Sequence, residues 1–307
     1  MHSRTAALTA VFLTTAAWAT PATDGLSDVT AGEPVTTYNL AIIPLETHRP
    51  PPYDDYAVLE EATAAKTVRI QEMGQGGEVN SLTVANRGPL PLYLLGGEVV
   101  LGGQQDRMLQ SDTVVEAGKR HVVPVMCVEH GRWNGNDLTF RSSGEVAHPD
   151  LRRLASFEGQ GAVWNEVARK SQATGVHSDT GTFRRVLQDN RTRERIRRYV
   201  DELEEKLPPS EHRAGFAVAI NGELVTVDVF DSPKLLAKLE RKLLSSYVLA
   251  ALERQAMPES VVRAKLGRIG TKQVQDFIAP PTGLEAKSAG RVYQSKGKAV
   301  HSASFAK

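Results

Sequence analysis

Between Val68 and His148 the apolar residues keep no helical period, and glycine breaks the chain again and again. Strand-length apolar runs occupy residues 79–84, 90–95, 98–101, 108–115, 121–128 and 138–140. The breaks read Gly74-Gln75-Gly76-Gly77, Asn86-Arg87-Gly88-Pro89, Gly102-Gly103, Ala117-Gly118 and Gly131. Runs this short cannot bury a core as helices, whereas glycine and proline supply the turns that join short strands. The pattern predicts antiparallel β structure over residues 37–148, sandwich-like or curled. Upstream, Leu40-Ala41-Ile42-Ile43 reads as a strand, Pro50-Pro51-Pro52 marks an exposed loop, and residues 56–68 are compatible with a helix.

After Pro149 the period changes. Residues 151–157, 163–170 and 183–207 have helical spacing, and Pro208-Pro209 stops the last of them, giving a helical segment over 149–210. In the longest, Glu194/Arg198, Arg197/Asp201 and Arg198/Glu202 stand four apart, so its arginines read as a solvated, self-paired face. Asn221-Gly222 is a type I′ hairpin signal. A turn on those two residues sets Ile220 opposite Glu223, Val218 opposite Val225 and Phe216 opposite Val227. That register gives the hairpin one apolar face. Ser232-Pro233 then supplies an N-cap and a first-turn proline. Leu235, Leu239, Leu243 and Tyr247, widened by Leu236, Leu244, Val248 and Leu252, form the stripe of a long amphipathic helix packed on the sheet. The expected class is therefore α+β: one domain over residues 37–305, with hairpin and helix at 214–256 and a tail at 257–307. That tail turns Gly-, Ser- and Lys-rich from Pro280 and ends in a strand near 299–301.

Met1-His2-Ser3-Arg4, a short apolar stretch and Ala17-Trp18-Ala19 resemble a secretory signal cleaved after Ala19, followed by a flexible leader over 20–36. No apolar stretch reaches the roughly 20 residues of a membrane span. The expectation is an exported protein, periplasmic or secreted. The net charge of +1 argues against nucleic acid as a partner. One cysteine in 307 residues excludes an internal disulfide and a multi-cysteine zinc site, so stability must come from an ordinary core.

That cysteine opens the segment Cys127-Val128-Glu129-His130-Gly131-Arg132-Trp133. On a strand, Cys127 and Glu129 share one face about 7 Å apart, while His130 falls at the strand's end. A nucleophilic thiolate needs a cationic neighbour, and His130 and Arg132 are the local candidates. A free cysteine is equally at home as a small buried hydrophobe. Glu98, beside Gly96-Gly97, offers a second carboxylate for acid–base work with Glu129. Gln105 and Arg107, after Gly102-Gly103, suit a polar ligand with carboxylate, phosphate or ribose groups. Arg132-Trp133 can stack a planar ligand or stack on itself. There is no GxSxG, HExxH, Walker loop or CxxC, and the ligand set is too loose to name a metal.

These segments resemble a family named for its genomic company with ADP-ribosylglycohydrolases and rhodanese-like phosphatases. Its hallmarks are a Gly-Glu, a Gly-x-Gln-x-Arg and a Cys-Val-Glu-x-Gly-Arg-Trp. Here they read Gly97-Glu98, Gly103 with Gln105 and Arg107, and Cys127 to Trp133; Gln160, Trp164 and the Asn-Gly hairpin match as well. The resemblance covers residues 37–305. It implies a role around nucleotide or ADP-ribose metabolism, with Glu98, Cys127, Glu129 and Arg132 as the active residues. Two readings follow. One is an exported domain that binds, and hydrolyses or transfers a group on, a small polar ligand held by Gln105, Arg107, Arg132 and Trp133. The other is a non-catalytic structural or binding domain in which Cys127 is a core residue. The sequence names no cofactor and no oligomeric state.

Overall fold

The structure, a computed structural model, describes residues 28–51, 53–73, 79–132, 138–279 and 288–307. The expected signal segment, most of the leader, the Gly74 to Gly77 turn and Trp133 lie outside them. The chain runs β1 (Val29–Ala31), β2 (Val35–Thr37), β3 (Leu40–Thr47), β4 (Ala57–Val58) and α1 (Leu59–Ala64). Then come β5 (Val68–Glu72), β6 (Ser81–Asn86), β7 (Leu92–Leu94), β8 (Glu98–Gly102), β9 (Arg107–Leu109) and β10 (Thr113–Val115). β11 (Arg120–Cys127) and β12 (Thr139–Val146) lead to four helices, α2 (Pro149–Phe157), α3 (Gln160–Thr174), α4 (Phe183–Gln188) and α5 (Asn190–Lys206). The last part is β13 (Arg213–Ile220), β14 (Glu223–Phe230), α6 (Pro233–Ala251), α7 (Glu259–Leu266), α8 (Thr271–Ile278), β15 (Ser288–Ser295) and β16 (Lys298–Ala306).

The α+β class holds, and the curled form of the β-rich half is realised in full. Strands β11-β6-β5-β12-β8-β9 close into a barrel. Alternation sorts its side chains: Leu82, Val84, Val100, Leu109, Val123 and Val125 share one core with Ile70 and Phe140. Val99, Leu101, Met108 and Met126 face the other way, against Leu151, Val163, Val167 and Phe183 of the helices. Gly102 permits the closure, because a Cβ there would stand 2.4 Å from the Thr139 carbonyl oxygen of β12. A second sheet has the order β1-β3-β13-β14-β16-β15, with β2 on β3. Two strands thus arise within the segment expected as a leader, and the tail supplies a hairpin rather than one strand.

Other local expectations change for identifiable reasons. Only Leu59–Ala64 is helical within 56–68, since Lys66 takes a positive φ of 57° and ends the turn. The long helix expected over 183–207 is broken at Asp189, whose extended backbone lets its side chain accept from Thr192 N–H and cap α5. In the hairpin, Asn221 and Gly222 both have positive φ, as a type I′ turn demands. Ile220 does face Glu223, but Val218 pairs with Thr226, because a bulge inserts Val225. Val227 therefore turns to the opposite face. Phe216, Val218, Ile220 and Val225 pack under α6, while Ala217, Val227 and Val229 pack against Val274, Phe277 and Ile278 of α8. Both faces of the hairpin are buried. Ser232 caps α6 as expected, accepting from Leu235 N–H. No helix among the described residues is long and apolar enough to cross a membrane.

Barrel and sheet are joined through buried charge. Arg152 of α2 donates to both carboxylate oxygens of Asp228 on β14 (3.1 and 2.7 Å) and to the Gly96 carbonyl (3.2 Å). Tyr247 of α6 also donates to Asp228 (2.7 Å), and His301 of β16 bridges Asp228 (3.1 Å) and Asp112 (2.5 Å). Burial opposes a charge on His301, but Asp112 and Asp228 outweigh it and lift the imidazole to about 9.

Two expectations follow from this junction. Gly97 has φ +102°, and a Cβ on it would lie 2.6 Å from Arg152 Cγ. Gly97→Ala should lower unfolding stability by about 3 kcal/mol; a loss under about 1 kcal/mol in urea denaturation would show that the contact relaxes freely. Because His301 is protonated more tightly when folded, its contribution is full below pH 6.5 and fades as pH rises through about 9. Stability should fall across that window by on the order of 3 kcal/mol, and His301→Gln should remove the slope in pH-dependent melting curves.

Candidate functional site

At one end of β9 the motif residues gather. Arg107 pairs in register with Cys127 of β11 on one side and Val100 of β8 on the other. Its side chain is fully buried. Nη1 donates to the Gln105 carbonyl (3.0 Å) and to Gln105 Oε1 (3.2 Å). Nη2 lies 3.5 Å from Glu72 Oε1, an ion pair too long for a good hydrogen bond. Nε and Nη2 make no hydrogen bond among the described residues. A buried guanidinium with idle donors is an unusual thing to leave in a protein interior.

Cys127 is the last residue of β11. Gln160, at the start of α3, clamps its backbone, accepting from Cys127 N–H (2.8 Å) and donating to the Cys127 carbonyl (2.8 Å). The thiol is buried, and its nearest acceptor is the Val79 carbonyl at 3.9 Å. Burial pushes the thiol above its usual range, against a weaker pull from Arg107. It is a neutral thiol at pH 7, not a thiolate.

Glu129 is not beside it. Because β11 ends at Cys127, strand alternation no longer governs the next residues, and the charged groups acting on the thiol are Arg107 and Glu72. Glu129 instead accepts from Asp106 N–H (3.1 Å), Thr180 Oγ1 (2.9 Å) and Arg132 Nε (2.9 Å). Burial raises its carboxyl, and the hydrogen bonds from Arg132, Asp106 and Thr180 overcome that and hold it low. Arg132 also reaches the Gly103 carbonyl (2.9 Å), the Gly102 carbonyl (3.3 Å) and Asp106 Oδ1 (3.2 Å). Thr182 donates to the second Asp106 oxygen (3.1 Å). Arg132 is thus a brace between the glycine turn and two carboxylates. His130, exposed, sets its ring edge-on to Trp164 at 4.6 Å.

Glu98 belongs to a different cluster. It accepts from Leu95 N–H (3.0 Å) and is bonded to Lys242 of α6, which also donates to Glu60 (2.6 Å). Burial pushes Glu98 up to about 7 in spite of Lys242. A cleft of about 400 Å3, lined by Glu60, Glu145, Lys238, Arg241, Lys242 and Ser245, opens beside this cluster. A wider groove of about 840 Å3 between β2 and α7 contains none of the motif residues. Sequence reading missed Lys242, although a lysine three places after Leu239 and next to Leu243 sits on the apolar stripe. Thr180, Thr182 and the clamping role of Gln160 were also missed, and only their contacts reveal them. His148, Asp150 and Glu166 bring three possible ligand atoms within 4.8 Å. Both Glu166 oxygens are already taken by His148 and Arg169, so this cluster is an ion-pair network.

Comparison with curated proteins and with solved structures finds no match. The family implied by the motifs is confirmed across nearly the whole chain. The model of the ARG and Rhodanese-Phosphatase-superfamily-associated Protein domain matches residues 28–307, and the chain belongs to that family.

Proposed function

We propose that this domain binds a small polar ligand at the barrel end, and that Arg107 anchors the ligand's phosphate or carboxylate group. The observation that carries the reading is the fully buried guanidinium whose Nε and Nη2 make no hydrogen bond among the described residues, with Glu72 only at ion-pair distance. An unsatisfied buried donor costs roughly 1–3 kcal/mol, more when charged. A ligand oxyanion offers the bidentate geometry that a guanidinium fits best. Gln105 orients Arg107 from one side, and the Arg132, Asp106 and Glu129 brace fixes the turn that carries both. The family's association with ADP-ribosylglycohydrolases and rhodanese-like phosphatases favours phosphate, and a nucleotide- or ADP-ribose-like molecule, as the ligand.

Binding without attack by Cys127 is the form that the thiol's surroundings support, because burial keeps it protonated. Turnover has one observation in its favour. Burial lifts the Glu98 carboxyl to about 7, and Lys242, to which it is bonded, lines the neighbouring cleft.

Two measurements test the reading. In a thermal-shift panel of ADP-ribose, nucleoside phosphates, neutral sugars and divalent ions, a phosphate-bearing member should stabilise the protein while neutral sugars do not. Arg107→Lys keeps the charge but loses the fork, so the same ligand should bind at least about tenfold more weakly; equal shifts in both proteins would sink the proposal. In thiol labelling of the folded protein, Cys127 should react only after denaturation. Reaction at or above the rate of a free peptide thiol would restore it as a nucleophile.

A further inference from the structure

A small pocket opens beyond the opposite end of β9 from Arg107, where the chain leaves the strand at Ser111 and Asp112. It holds about 190 Å3 and is lined by Gly96, Ser111, Asp112, Arg152, Ser156 and Arg291, with Phe305 at its wall. That is smaller than the 300 Å3 or more typical of drug-sized ligands. Its polar groups come from separate elements: the loop after β9, helix α2 and strand β15.

Three features point to a bound anion. First, Arg291 makes no ion pair among the described residues; its guanidinium donates to the Ser156 carbonyl and lies over the Phe157 ring at 5.0 Å. Second, Arg152, which also lines the pocket, commits three of its five N–H groups to Asp228 and Gly96, so its donor capacity is not used up. Third, the hydroxyls of Ser111 and Ser156 donate to nothing among the described residues, yet both line this pocket. The charge balance agrees. Arg152 and His301 offset Asp228 and Asp112, and Arg291 remains as an uncompensated cation. Gly96 lets the loop after β9 pack closely on this wall, since a Cβ on it would stand 3.1 Å from both Asp112 Oδ1 and Ser111 Cα.

We propose that this pocket is a second binding site, for a small tetrahedral oxyanion of the phosphate type, held between Arg291 and Arg152 with Ser111 and Ser156 as further donors. Donors converging from three elements suit a tetrahedral anion better than a planar carboxylate. The rigidity of Arg152, fixed bidentately on Asp228, gives the site a preformed floor. The site uses neither Arg107 nor Cys127, so it stands apart from the barrel-end ligand.

Isothermal titration of the full chain with inorganic phosphate tests it, with glycerol phosphate as a parallel arm that separates a free anion from an esterified one. Saturable binding is expected, with its component at this pocket weakened at least tenfold in Arg291→Ala and a few fold in Ser111→Ala, and kept in Arg107→Lys. Circular dichroism confirms folding, and both side chains are at least partly exposed. Acetate should bind more weakly than phosphate. Absence of saturable heat with either phosphate, or unchanged phosphate affinity in Arg291→Ala, would overturn the proposal. Loss of phosphate binding in Arg107→Lys with Arg291→Ala unaffected would overturn it too, by assigning the anion to the barrel end.

Discussion

The bidentate pair between Arg152 and Asp228 is the contact on which the two halves depend. The arginine stands on the helix that follows the barrel, and the aspartate on the hairpin strand at the centre of the second sheet. Neither charge can be left alone in the interior, where an unpaired ion costs several kcal/mol. The pair therefore fixes the barrel and the sheet at one separation and one register, and Tyr247, His301 and Asp112 complete the remaining hydrogen bonds. Gly97 exists in this arrangement for a steric reason: it lets the Arg152 stem pass. The Gly-Glu motif is thus accounted for by two tethers, Gly97 admitting Arg152 and Glu98 receiving Lys242 of α6.

Two arginines at the barrel end show how the same side chain can serve opposite purposes. Arg132 meets four acceptors on the Gly102-Gly103 turn and on Asp106 and Glu129, and it holds the chain where β11 has already ended. Arg107 is more deeply buried, yet among the described residues only Nη1 makes hydrogen bonds. A structural brace satisfies its donors; on the proposed reading, Arg107 keeps some back for a ligand. That contrast is what distinguishes the two motif arginines.

Local signals were legible where a few neighbouring residues decide the outcome. Asn221-Gly222 and Ser232-Pro233 specify a turn and a cap by their own dihedral preferences and hydroxyl chemistry, and both form as read. Glycine-punctuated runs told of short strands, but closure into a barrel rests on the pairing of β9 with both β8 and β11, which no local pattern encodes. The bulge at Val225 reversed the side of Val227, because α8 offers a second apolar surface that periodicity in the hairpin cannot reveal. Arg152 beside Arg153 looks like an ordinary charged helix face; only Asp228, far away in sequence, makes it a core residue. In the candidate site the residue types were legible and their grouping was not. Glu98 and Glu129 both emerged as carboxylates of interest, and they lie in different ionic clusters.

On the proposed reading, the cysteine has a physical role that needs no reactivity. Cys127 faces inward in register with Arg107, and the strand that carries it is held at its end by the Gln160 amide. On that reading, a longer side chain on the strand position paired with Arg107 would hinder an anion's approach to the guanidinium. A charged or strongly polar one would compete with the ligand for the same donors. A small, weakly polar thiol does neither, and burial keeps it neutral next to a fixed cation. The residue that looks most like a nucleophile in the sequence is then the one that leaves room for the ligand.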